Sequence, residues 1–203
     1  MLLQRLGEVN LKLKPSKCVL LQKEVNFLGH VVSAKGVSTD PEKIKLIVEW
    51  PTPTNLKQLR GFLGLSGYYR KFVRGYSEIS RPLNLLTKKD QPYVWTSEQE
   101  EAFQKLKSAL ASPLILSLPT DEDTFILDTD ASQFSIGSVL SQVQEGTEKV
   151  IAYGGRTLNV NEINYCATRK ELLAVVHFTQ AYRQYLLGRK FIMRTDHAAL
   201  SWL

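Results

Sequence analysis

The chain reads as an α+β unit joined to an α/β domain built on a mixed sheet. Three features carry that expectation. A strand-rich run near residue 30 is followed by capped, proline-bounded helical stretches up to residue 112. At Thr124 the pattern turns to β-branched runs with a long helix among them. One phrase occurs twice, Phe125-Ile126-Leu127-Asp128-Thr129-Asp130 and Phe191-Ile192-Met193-Arg194-Thr195-Asp196. Each copy is an apolar strand delivering a carboxylate at its C-terminal end.

Taken in order, residues 1–10 read as the end of a helix. Residues 17–21 and 25–33 read as a β-hairpin with Val25, Phe27, Gly29 and Val31 on one face, and turn chemistry follows at Ser33-Ala34-Lys35-Gly36. Asp40 before Pro41 starts a helix that must stop near Trp50, because Pro51 and Pro53 cannot continue it. Thr54 is the expected cap of the next helix, whose apolar positions are Leu56, Leu59, Phe62, Leu63 and Ser66. Gly61, Gly64 and Gly67 weaken it and leave room for another backbone or a ligand. A further helical stretch runs from Tyr68 to Leu86. Thr96 with Gln99 is a capping box for a helix ended by Pro113.

From Thr124 the pattern predicts strands near 124–130, 135–143 and 149–154, a helix, and a returning strand near 190–196. Thr168 and Glu171 read as a capping box, and Gly188 as a C-terminal cap. The apolar positions of that helix include Leu172, Leu173, Val176, Ala181 and Leu186.

The composition bounds the partners. Of 203 residues 43% are apolar and 23% charged, which is ordinary for a soluble globular protein. No apolar run is long enough for a membrane span, and the start lacks the apolar core of a secretory signal. Cys18 and Cys166 show no metal spacing, so an intracellular placement, in cytoplasm or nucleus, is expected. The net charge of +6 is uneven: residues 1–120 hold 18 Lys/Arg against 10 Asp/Glu, residues 121–203 hold 8 against 10. A basic part joined to a part that gathers carboxylates suits a polyanion held by one and cut by the other. A solvated basic surface without a partner accounts for the charge equally well.

If the two copies of the repeated phrase are neighbouring strands in matched register, Asp130 and Asp196 meet at one end of the sheet. Carboxylates side by side repel unless a cation lies between them, and Mg²⁺ or Mn²⁺ supplies it with oxygen ligands. Two such ions about 4 Å apart stabilise the attacking water and leaving oxygen of a phosphodiester. Duller readings stand beside this one. An Asp at a strand end is often a turn former, and the capping box accounts for Glu171 without any metal. Asp128 is read as supporting a ligand or as simply exposed. Arg169, Lys170 and Arg194 are phosphate contacts or partners for nearby acids. Asp128-Thr129-Asp130 has Asp where the tight turn of an aspartic protease needs Gly, and that reading is rejected.

These residues resemble a family. Leu11 to Cys18, Phe27 to Ser33, Leu59 to Phe72, Thr129 to Ser132, Tyr165 to Ala174, Tyr185 to Gly188 and Thr195 to His197 follow, in order, the motifs of one region. That region is the reverse transcriptase–ribonuclease H segment of gypsy-type long-terminal-repeat retrotransposon Pol polyproteins. The resemblance implies that Asp130, Glu171 and Asp196 stand at the ribonuclease H metal site, holding two ions of Mg²⁺ or Mn²⁺. It implies a primer-grip-like hairpin at Phe27, Leu28, Gly29 and His30, and backbone contacts to nucleic acid from Arg60, Arg70 and Lys71. Residues 1–39 then close a reverse-transcriptase palm, 40–120 form a helical thumb and connection, and 121–203 form a C-terminally incomplete ribonuclease H-like mixed sheet. Duplex shape and phosphates, rather than base identity, should dominate recognition.

Two departures matter. The sequence holds no adjacent Asp-Asp pair, which the polymerase Tyr-x-Asp-Asp turn requires. The family's copy lies upstream of where Met1 begins, and its ribonuclease H continues beyond Leu203 with a fourth metal-site residue. Weak or no cleavage by the chain alone is therefore expected. The first functional expectation is metal-dependent cleavage of RNA in an RNA–DNA hybrid. The alternatives are a silent nucleic-acid-binding remnant of a transposon, or a chain that works only with the rest of a Pol polyprotein. Gln133 and Gly154-Gly155 carry no functional expectation.

Overall fold

A computed structural model describes residues 2–14, 18, 21–112 and 114–200. The opening helix is α1, Leu2–Glu8. Strands β1 (Glu24–Phe27), β2 (His30–Ser33) and β3 (Gly36–Thr39) form an antiparallel sheet in sequence order. Where the pattern predicts one strand over 25–33, the backbone reverses at Leu28 and Gly29, both in the left-handed region at φ +48° and +70°. A two-residue hairpin turn of this kind needs positive φ at both central residues. The reversal pairs Phe27 with His30 and Asn26 with Val31, so Val31 faces away from Phe27 rather than alongside it. The hairpin partner expected at 17–21 lies largely outside the described residues.

Strand β3 is tied to the far end of the helical unit. Val37 N donates to Leu116 O at 2.8 Å, and Leu116 N returns to Val37 O at 2.9 Å. Gly36 makes that approach possible, since a Cβ there would lie 2.2 Å from the Leu116 carbonyl oxygen.

Helix α2 (Pro41–Val48) starts as expected, with the Asp40 carboxylate accepting from Glu42 N at 2.9 Å. Helix α3 (Leu56–Tyr68) is capped by Asn55 rather than Thr54, because the Asn55 side chain reaches Gln58 N at 3.0 Å. Two glycines of α3 admit side chains: the Trp50 ring lies 3.3 Å from a Cβ at Gly61, and Tyr76 OH 3.5 Å from one at Gly67, while Gly64 borders open space. The continuous helix expected from Tyr68 to Leu86 breaks into a 3₁₀ turn (Arg70–Phe72), α4 (Tyr76–Ile79) and α5 (Arg81–Leu85). Gly75 takes a left-handed conformation at φ +69° and ends any helical run there. Helix α6 (Ser97–Ala111) opens with the Thr96–Gln99 capping box. Pro113, its expected stop, lies outside the described residues. Phe62, Tyr69, Phe72, Leu83, Phe103 and Leu106 are buried at the centre of this unit.

The second sheet has the order β6-β5-β4-β7, from β4 (Phe125–Ala131), β5 (Ser135–Gln144), β6 (Thr147–Thr157) and β7 (Phe191–Arg194). Strands β4 and β7 are parallel and the other pairs antiparallel, which is the mixed sheet expected. Short helix α7 (Val160–Ile163) leads into α8 (Ala167–Ala181), and α9 (Arg183–Leu186) follows. Helix α8 packs on β4 and β5 through Ala174 and Phe178, with Phe125, Leu127 and Leu140 beneath. Its apolar positions divide: Leu173 packs on this core, whereas Leu172 and Val176 are 41% and 49% exposed, and Glu171 is buried beside Ala174 and Phe178.

The two units meet closely. Arg70 donates to the Gly155 carbonyl, and the Arg81 guanidinium lies 3.7 Å from the centre of the Phe134 ring. Gly154 and Gly155 gain a packing reason here. A Cβ at Gly154 would sit 2.4 Å from Ser138 Oγ and 2.6 Å from Tyr182 OH, and one at Gly155 3.1 Å from Ser77 Oγ.

Candidate metal centre and nucleic-acid interface

The first four positions of the repeated phrase are paired in register. Phe125 faces Phe191, Ile126 faces Ile192, Leu127 faces Met193 and Asp128 faces Arg194. Identical side-chain patterns on adjacent parallel strands put equivalent residues at equal height. Both copies of the phrase therefore bring their terminal aspartates to the same end of the sheet. Helix α8 starts there too, and Glu171 is its fifth residue.

One carboxylate oxygen from each of Asp130, Glu171 and Asp196 lies within 4.8 Å of the other two. Asp130 and Asp196 are exposed and Glu171 is buried. Glu171 is not a cap. The helix begins at Ala167 with Cys166 at its N-cap, so Thr168 lies inside the helix and hydrogen bonds His197 Nε2 at 2.8 Å instead. The Glu171 carboxylate crosses to the sheet, where Oε1 accepts from Ala131 N at 3.1 Å. Its Oε2 is buried with no protein partner among the described residues. Burial, and then the charges of Asp130 and Asp196, raise the Glu171 pKa above the ordinary carboxylate value.

A buried acceptor without a donor costs free energy unless something fills it. An all-oxygen set of three converging carboxylates matches a hard divalent cation such as Mg²⁺ or Mn²⁺. The residues present fit such an ion.

Neighbouring charges are already engaged. Asp128 is held by Arg194, which also binds Glu148. The Arg169 guanidinium lies 3.8 Å from the centre of the Tyr165 ring, and Lys170 donates to the Gln133 carbonyl at 3.2 Å. Of the three basic residues left open by the sequence, Arg194 is thus a partner for acids. Glu148 escaped the sequence reading, because nothing local marks it and its role arises only when β6 and β7 share a sheet.

The hairpin belongs to the other unit. Phe27 and Leu28 are 62% and 72% exposed at its tip. The hydroxyls of Tyr68 and Tyr69 donate to the carbonyls of Leu28 and Gly29, the latter at 2.7 Å, so helix α3 holds the turn from behind. His30 points inward, stacked 5.2 Å from Tyr68, and burial and nearby Lys71 lower its pKa. Lys71 is half-buried against the Phe72 ring, its own pKa lowered by burial. Arg70 is committed to the joint through Gly155, whereas Arg60 stands exposed on α3.

Comparison with known proteins decides the family. Residues 95–193 match the RNase H-like domain found in reverse transcriptase. Over 98% of its length the chain is 46% identical to the retrovirus-related Pol polyprotein from transposon 297 of Drosophila melanogaster. It is 35% identical, again over 98%, to the transposon Tf2-3 polyprotein of Schizosaccharomyces pombe. The chain belongs to the Pol proteins of retrotransposons. This Pol chain spans 18% and 15% of the lengths of those two relatives. It also matches the foamy viral protease-reverse transcriptase in complex with double-stranded DNA, with a TM-score of 0.82 and 26% identity. That match covers 97% of this chain and 35% of the viral one. A second foamy viral structure, in complex with an RNA/DNA hybrid, matches with a TM-score of 0.76 and 27% identity, covering 90% and 25%. No helix among the described residues is long and apolar enough to cross a membrane.

Proposed function

We propose that this chain provides divalent-metal-dependent endonucleolytic cleavage of the RNA strand in RNA–DNA hybrids. Asp130, Glu171 and Asp196 are the ligands, and two ions of Mg²⁺ or Mn²⁺ are the cofactors. The observation that carries the reading is the convergence of the three carboxylates around a buried, unpartnered Glu171 oxygen.

When bound, the ions supply activation of the attacking water and charge stabilisation of the leaving oxygen. The chain's own residues do the positioning. Glu171 is anchored by the Ala131 amide, so its free oxygen is aimed before any ion arrives. Asp130 lies within β4, and Asp196 follows two residues past the end of the parallel neighbour β7. Exposure of both leaves that side open to a bulky substrate.

Within this reading, residues 1–39 carry the primer-grip-like hairpin, 40–120 the helical thumb and connection, and 121–203 the ribonuclease H-like unit. Phe27 and Leu28 at the exposed tip meet the nucleic acid, with Gly29 shaping the turn and His30 supporting it from within. Arg60 meets the phosphate backbone. A hybrid or another nucleic acid is the partner, together with the remainder of a Pol polyprotein. The sequence has no adjacent Asp-Asp pair, so nucleotide addition is not assigned to these residues.

A labelled RNA–DNA hybrid incubated with the chain and Mg²⁺, beside an Asp130→Asn variant, tests the reading. RNA cleavage that needs Mg²⁺ and disappears in the variant supports it, at whatever rate. Hybrid binding without cleavage in either protein overturns cleavage by this chain on its own and leaves a nucleic-acid-binding module.

A further inference from the structure

We infer that Arg194 is a positioning residue for the metal centre, setting where Asp196 stands relative to Asp130. The inference rests on the nuclease reading and extends it to a residue outside the three carboxylates.

Strand β7 ends at Arg194, and its last ladder pair with β4 is Asp128 with Arg194. Asp196 lies two residues beyond, off the end of its strand. The ladder that aligns the two phrases therefore stops before reaching the residue whose position matters. Side chains take over at that point. Arg194 Nε and Nη2 donate to both Asp128 oxygens, at 2.5 and 2.7 Å. Its Nη1 and Nη2 also donate to the two Glu148 oxygens, at 3.0 and 2.6 Å. Ser141 Oγ donates to Glu148 Oε1 at 2.7 Å. A single guanidinium thus links β7 to β4 and β6, and through Ser141 to β5, just before Asp196. On the other side His197 is held by Thr168 of α8. Asp196 is bracketed between these two tethers.

Overall stability does not explain this arrangement. The three charged side chains are 46%, 34% and 38% exposed, and ion pairs at such exposure contribute little to folding. The planar fork matters for geometry instead, because it fixes direction as well as distance. Groups that orient metal ligands commonly change metal affinity by about tenfold or more when removed.

The sign of the effect separates positioning from simple charge. Removing a cation near an anionic centre tightens divalent binding if only electrostatics operate. Loss of positioning weakens it. Mn²⁺ binding to the full chain, followed by electron paramagnetic resonance, reads the difference in the unaltered protein, Asp130→Asn, Arg194→Gln and Arg194→Lys. The unaltered protein binds and Asp130→Asn does not. Arg194→Gln binds about tenfold more weakly with a near-normal melting temperature. Arg194→Lys keeps the charge but loses the fork, so it weakens binding too, and it preserves the test if the glutamine variant misfolds. Unchanged or tighter binding in the Arg194 variants, beside a responsive Asp130→Asn, overturns this inference alone. Absence of Mn²⁺ binding in the unaltered protein overturns the metal centre and the inference with it.

Discussion

Glu171 accepts a hydrogen bond from the Ala131 amide at 3.1 Å through one carboxylate oxygen, and its other oxygen is buried without a partner. Helix α8 is thereby latched to the strand that carries Asp130. The same carboxylate has an oxygen within 4.8 Å of oxygens of Asp130 and Asp196.

A pH dependence follows from that burial. Burial first, and the charges of Asp130 and Asp196 next, raise the Glu171 pKa. The folded chain then holds this proton more tightly than the unfolded chain does. The stability it contributes is complete below the ordinary value of 4.5 and is lost as pH rises through the higher folded value. Glu171→Gln stays neutral and keeps the acceptor for Ala131. Metal-free melting curves should show the variant gaining on the unaltered protein as pH rises from roughly 4 to 7. A constant difference across that range would contradict the assignment.

Metal addition should act in the opposite direction. An ion that binds only the folded chain, supplied at about 100 times its Kd, adds about 2.7 kcal/mol of stability. Mg²⁺ or Mn²⁺ should raise the melting temperature of the unaltered protein and leave that of Asp130→Asn where it was. Equal shifts in both would place the ion elsewhere.

Gly154→Ala tests the packing of α8 on the sheet. The added methyl would meet Ser138 Oγ at 2.4 Å, Tyr182 OH at 2.6 Å and Phe178 at 2.8 Å. Overpacking of this kind costs about 1–3 kcal/mol, which urea unfolding measures as a lowered midpoint. No loss would mean that the aromatic pair shifts freely.

Tyr69→Phe tests the support of the hairpin. The hydroxyl bonded to the Gly29 carbonyl at 2.7 Å is removed while the buried ring stays. A bond of this type contributes about 1 kcal/mol, so exchange of the amides at the hairpin turn should quicken by roughly fivefold. Duplex binding should weaken alongside. Unaltered exchange would show that the turn holds without the clamp.

Basic residues that look equivalent in sequence should separate by salt dependence. Arg60 is exposed, whereas Arg70 is bonded to the Gly155 carbonyl across the joint. Arg60→Ala should reduce the slope of log affinity against log salt by about 0.9 on duplex DNA. Arg70→Ala should leave the slope and lower thermal stability. The reverse pattern would relocate the interface.

Much of this arrangement was legible in the residues themselves. Asp40 before Pro41 and Thr96 with Gln99 mark helix starts by local hydrogen bonding, and both hold. The turn at Leu28 and Gly29 is not legible locally, because an apolar run hides a two-residue reversal that is supported by tyrosines forty residues away. Thr168-x-x-Glu171 fits a capping box locally, and the fold does not form that box. The sheet offers Glu171 an amide at Ala131, and Thr168 takes His197. The apolar positions of α8 are only partly buried for a related reason. Leu172 and Val176 are exposed, while the helix turns its acid toward the strand ends.

The residue order alone sets the duplicated strand phrase and its terminal aspartates, since strand periodicity and β-branching act over a few neighbouring residues. Pairing β4 beside β7, aiming Glu171 between the aspartates and recruiting Arg194 and Glu148 belong to the folded molecule. Those contacts join residues far apart in the chain, and only packing into a single sheet brings their charges within hydrogen-bonding reach.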